Sequence, residues 1–111
     1  MVGPSKEAAV TSVTVIARFP VADIEKAVAA LRASAVLLEE ITEDTKGAGI
    51  IHHSFVAGDG ELVVIDEWET AEKFLAFFEG NPKVAKVTEL AGVTGPPDVA
   101  IYDEVDAPGR I

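Results

Sequence analysis

The alternation of apolar and polar positions divides the chain into six segments. Residues 12–19 (SVTVIARF) are rich in β-branched side chains and run into Pro20, which has no N–H for a ladder, so the pattern predicts a strand that stops there. Asp23 is placed to accept from the free N–H groups of a first helical turn. After it, Ile24, Val28, Leu31, Ala35 and Leu38 recur at spacings of four, three, four and three. This is one face of an amphipathic helix, with Glu25, Lys26, Arg32 and Glu39 on the other, and it predicts a left-handed cap at Gly47. Residues 50–56 (IIHHSFV) and 62–68 (LVVIDEW) flank Gly58-Asp59-Gly60, a hairpin signature. Thr70 is positioned to cap a second helix with Phe74, Leu75 and Phe78 on its buried face. Gly80-Asn81-Pro82 interrupts that helix, Val84, Val87 and Leu90 resume its pattern, and Gly92 closes it. Residues 94–97 form a rigid connector, and residues 99–105 (VAIYDEV) read as the last strand. Residues 1–11 show no periodicity and read as a lead-in, residues 12–105 as the domain, and residues 106–111 as a tail.

The order βαββαβ is the split-βαβ arrangement: an α+β, ferredoxin-like domain in which right-handed crossovers place a four-stranded antiparallel sheet under helices. Helices cover one face of such a sheet, so in a monomer the other face should turn polar. Here Leu62 and Val64 point one way while Val63 and Ile65 point the other, and Ile50 and Ile51 divide likewise. Both faces are apolar at these positions. The expected consequence is a twofold homodimer with sheet packed on sheet, a dimeric α/β barrel.

Composition narrows the function classes. The chain has 111 residues, of which 49% are hydrophobic and 25% charged, enough apolar material for one packed domain. No apolar run approaches the length of a membrane span and no signal-peptide pattern opens the chain, so a cytoplasmic protein without membrane contact is expected. Nine Lys and Arg against nineteen Asp and Glu leave a net charge of −10, a field that repels nucleic-acid backbones and anionic lipids. The acids are spread along the chain, which reads as solubility. The absence of cysteine removes disulfides, thiolate nucleophiles and cysteine metal sites. Dinucleotide, P-loop, nucleophile-elbow and zincin signatures are all missing.

Residues 46–84 carry a family likeness: Gly49 before the second strand, Asp66-Glu67-Trp68-Glu69-Thr70 at the strand-to-helix junction, and a following helix that ends in Asn81-Pro82. In these features the chain resembles the antibiotic biosynthesis monooxygenase domain of the dimeric α/β-barrel superfamily. The resemblance implies a ligand cavity between sheet and helices and a cofactor-independent monooxygenase of a small phenolic, quinol or polyketide-like substrate. Relatives in the haem-degrading branch carry an axial His on the second helix. Phe78 stands about where that residue would be, so no metal or other cofactor is expected.

The candidate site residues follow. His52 and His53 are neighbours on a strand, so they point to opposite faces and cannot share one metal ion. The one that faces the helices can act as a base, taking a phenolic proton to leave an electron-rich anion that reacts with O2; the other reading is an interface His beside a hydrogen-bonded sheet His. Tyr102, the only Tyr, is the one phenol able to donate to an oxyanion. Trp68 is either a packing anchor or a wall of an aromatic-substrate pocket, with Phe55, Phe74 and Phe78 as further apolar walls. Arg18 either orients an anionic ligand or pairs with a surface acid. Asp66 and Glu67 point to opposite faces and form no carboxylate pair. The competing functional class is a non-catalytic small-molecule-binding or dimeric accessory protein, and an isomerase or dehydratase using the same pocket is a third reading.

Overall fold

In a computed structural model, the structure describes residues 12–109; the lead-in at residues 1–11 and the end of the tail at residues 110–111 lie outside the described residues. The strands are β1 (Val13–Pro20), β2 (Ile50–Gly58), β3 (Glu61–Trp68) and β4 (Asp98–Asp103). They form one antiparallel sheet in the order β2-β3-β1-β4, the ferredoxin-like arrangement. Pro20 belongs to β1 and pairs with Glu61 as its last residue. β1 takes the centre because its alternate residues Val13, Val15, Ala17 and Phe19 are all buried against the helices.

Each crossover contains two helices where the periodicity predicted one interrupted run at most. The first comprises α1 (Ile24–Ala33) and α2 (Ala35–Ala48). Asp23 caps α1 by accepting from the Lys26 N–H at 3.1 Å. The break falls at Ser34, whose hydroxyl donates to the Ala30 carbonyl at 2.7 Å and whose backbone leaves the helical region. The predicted apolar face does not pass this break intact: Ala27 and Leu31 are buried on α1, whereas Ala35, just after the break, is exposed and Leu38 is half-buried. Gly47 lies inside α2, and the left-handed cap is Gly49, at φ 114°. The second crossover holds α3 (Ala71–Phe78), capped by Thr70, and α4 (Pro82–Leu90). Asn81 accepts from the backbone N–H groups of Lys83 and Val84 while donating to the Phe77 carbonyl, which fixes the angle between α3 and α4. On α3, Leu75 is exposed and Phe77 packs instead on Trp68, centroids 5.6 Å apart.

A two-residue turn, Asp59-Gly60, joins β2 to β3 and sets the register Gly58↔Glu61, Phe55↔Val64 and His53↔Asp66. Between the pairs Ile50↔Trp68 and His52↔Glu67 the strand bulges, with Ile51 as the extra residue. Leu62, Val64, Asp66 and Trp68 therefore share the helix-facing side with His53 and Phe55. Ile16, Val56, Val63 and Ile65 look out from the other side.

Candidate active site

Between the sheet and helices α1 to α4 lies a cavity of about 490 Å³. His53, Phe55, Val64, Asp66 and Trp68 form its sheet wall, and Leu38, Ile41, Phe74, Phe77 and Phe78 line the helix side. Because β2 is the edge strand, the helix-facing side chains His53 and Phe55 remain exposed and mark the open side of the space.

The polar groups converge at one end. Asp66 is 6% exposed and Trp68 1%. Oδ1 of Asp66 lies 2.6 Å from Nδ1 of His53, and Oδ2 accepts from the indole Nε1–H of Trp68 at 3.1 Å. A carboxylate accepts only, so this contact places the His53 proton on Nδ1 and leaves the Nε2 lone pair free in the neutral ring. No hydrogen bond within the described residues occupies that Nε2, and the His53 side chain is 39% exposed. Phe55 meets the His53 ring edge-on at 4.7 Å and limits its rotation. Trp68 is itself held by Phe74 at 5.7 Å and by Phe77. The arrangement is an oriented imidazole on an apolar cavity, backed by a buried carboxylate with each oxygen occupied.

Of the residues singled out from sequence, the structure brings His53, Trp68, Phe55, Phe74 and Phe78 to this cavity. His52 borders it beside the bulge, but its pairing with Glu67 turns it toward the opposite face. Two residues do not belong to the space. Tyr102 pairs with Thr14 on the open face and is 57% exposed, so it is not a donor to a bound oxyanion. Arg18 lies on that same face and pairs with Glu61 at 3.2 Å and Asp98 at 3.4 Å, the surface ion pair rather than an anion clamp. Asp66 is the residue that sequence reasoning missed. Its signal was a carboxylate in phase with Leu62, Val64 and Trp68 on the apolar side of a strand, which is costly without dedicated partners. Among the described residues no group of three or more His, Asp or Glu side chains could hold a metal ion.

No protein-family model and no curated protein sequence matches the chain. Solved structures do. A monooxygenase from the gene ActVA-Orf6 of Streptomyces coelicolor, in complex with nanaomycin D, superposes with a TM-score of 0.65 at 18% identity, covering 91% of this chain and 94% of that one. SnoaB, a cofactor-independent oxygenase from Streptomyces nogalater, gives 0.60 at 15% identity over 90% and 99%. A dimeric ferredoxin-like protein from an uncultured marine organism gives 0.65 at 14% identity over 96% and 99%. The chain has the ferredoxin-like fold that the antibiotic biosynthesis monooxygenase-like proteins share.

Proposed function

We propose that the protein is a cofactor-independent monooxygenase of a small aromatic substrate with a phenolic, quinol or polyketide-like ring, bound between sheet and helices. The observation that carries this reading is the His53–Asp66–Trp68 hydrogen-bond chain at the cavity wall. Nε2 of His53 takes a proton from the substrate, and Asp66 holds the ring and stabilises the imidazolium that forms. The substrate anion then gives its electrons to O2; when a ring CH2 becomes a carbonyl, one oxygen atom enters the product and the other leaves as water. The apolar walls hold the ring of the anion against His53 while it reacts. Among neighbours of the same fold one is named a monooxygenase and another a cofactor-independent oxygenase, which supports the assignment.

The functional unit in this reading is a homodimer formed through the open sheet face. On that face Ile16 and Ile65 sit opposite one another across β1 and β3, with Val63 two residues along β3, and a neighbour of the same fold is described as dimeric.

The test is oxygen consumption by the purified protein with hydroquinones and anthrones. Uptake above the substrates' own autoxidation, abolished in His53→Ala, supports the reading. Ligand binding without uptake points instead to a non-catalytic binding protein.

A further inference from the structure

A second and more open space, of about 350 Å³, adjoins the cavity. Gly80, Asn81, Pro82 and Ala85 wall it from the α3–α4 turn, and Gly95 and Pro97 from the α4–β4 connection. Phe19, Phe78, Val84, Thr88 and Val93 line both spaces, so the partition between them is one layer of side chains. The polar groups here are already engaged. Asn81 bonds to Lys83, Val84 and Phe77, and the Thr88 hydroxyl donates to the Ala85 carbonyl at 2.8 Å. What remains is apolar wall.

The polar end of the cavity is the opposite one. From Asp66 to Leu62 is four residues of β3, about 13 Å at the rise of a strand. Leu62 pairs with Phe19, which stands on the partition. The two spaces therefore adjoin, polar at His53 and apolar from Leu62 onward, with the layer of Phe19 and Phe78 between them.

We propose that the ligand is a phenolic or quinol head carrying a flexible apolar chain, its head at His53 and its chain running along β3 toward Leu62 and pushing aside the Phe19–Phe78 layer to enter the second space. The proposal rests on the reading of His53 as the residue that faces the ligand. A single aromatic ring suits an apolar cavity of about 150 Å³ and would leave most of this one unfilled. In the second space the polar side chains of Asn81 and Thr88 already have partners, so a hydrocarbon chain finds apolar contacts there without leaving a protein hydrogen bond unmade.

Calorimetric titration of the full chain with para-alkylphenols, from ethyl to nonyl, tests it. Affinity is expected to rise about three- to four-fold for each added methylene, through to nonyl. Ala85→Phe and Gly95→Leu fill the second space from opposite walls, and Gly95 accepts a side chain because an added Cβ meets only Pro20 Cγ, at 3.8 Å. In both variants the gain should stop near hexyl while ethylphenol binds as before. A wild-type series that levels off at hexyl, a gain that survives in a folded variant, or no binding of any alkylphenol overturns the proposal. Oxygen uptake with chainless hydroquinones decides the monooxygenase reading separately.

Discussion

The Nδ1 atom of His53 and the Oδ1 atom of Asp66 meet at 2.6 Å across thirteen residues of hairpin, and the carboxylate they share with Trp68 is nearly sealed from solvent. In an oxygen electrode, His53→Ala is expected to lower turnover by about 10²- to 10⁴-fold, the range of a positioned base. Asp66→Ala should lower turnover and also stability, by about 1–3 kcal/mol in urea unfolding, because it strands the buried indole N–H. Turnover equal to wild type in a folded His53→Ala would remove the imidazole from the chemistry.

Trp68 is the only tryptophan and lines the cavity. Its fluorescence is therefore a direct reporter of occupancy: para-alkylphenols should change its emission in a saturable way, with the same dissociation constant as calorimetry. A Trp68 signal indifferent to a ligand that calorimetry detects would place that ligand elsewhere.

Gly47 and Gly49, two residues apart, should respond to Ala with opposite signs. At Gly49 the backbone is left-handed and an added Cβ would come 2.7 Å from Lys73 Cδ and 3.3 Å from Glu69 Oε1, so Gly49→Ala is expected to destabilise by about 1–3 kcal/mol. At Gly47, inside α2, nothing lies within 4 Å, and Gly47→Ala should stabilise by about 0.5–1 kcal/mol. Urea midpoints for the pair check both signs.

If the open face is the dimer interface, Ile65→Lys should turn a dimer into a monomer in sedimentation equilibrium while leaving cavity binding intact, since Ile65 faces away from the cavity and pairs with Ile16. Unchanged mass for a folded variant would move the interface elsewhere.

Lys83 ties α4 to α2, its Nζ 2.9 Å from Asp44 and 3.7 Å from Glu40, and its pKa is raised above the usual 10.5, chiefly by the hydrogen bond to Asp44. A raised folded-state pKa means that the charged form favours folding: the contribution is complete below 10.5 and fades as pH rises through the folded value. The difference in urea midpoint between wild type and Lys83→Met should thus be larger at about pH 8 than at about pH 11, and small at either, because the pair is exposed and screened.

The fold was legible because each local signal agreed with the next. The β-branched run of β1, the caps at Asp23 and Thr70, and the glycine-rich turn all stand where the pattern put them. The break at Ser34 was not: it rests on a side chain bonding back to a carbonyl four residues earlier, which the spacing of apolar residues does not report. The partner of His53 was within reach. Counting back from a two-residue Asp59-Gly60 turn pairs residues 53 and 66 directly, and the period of a strand then puts both on the Leu62 side. What no count supplies is whether helices α2 and α3 leave room above that pair. Tyr102 and Arg18 had plausible chemistry, and their strand phase, shared with Thr14 and Ile16, already pointed them away from the helices.

The bulge at Ile51 makes the identity of the cavity histidine a matter of one residue's slack. Gly58 is exposed and an added Cβ there meets nothing. Deleting it slides β2 by one position toward the turn: His52 comes opposite Asp66, Ile51 opposite Glu67, and Ile50 stays with Trp68 in a strand that no longer bulges. His53 then points outward. A change at the hairpin tip, about 17 Å from the carboxylate by strand rise, would exchange one imidazole for its neighbour without altering either. The two consecutive histidines would then be settings of a single vernier, with loop length as the dial.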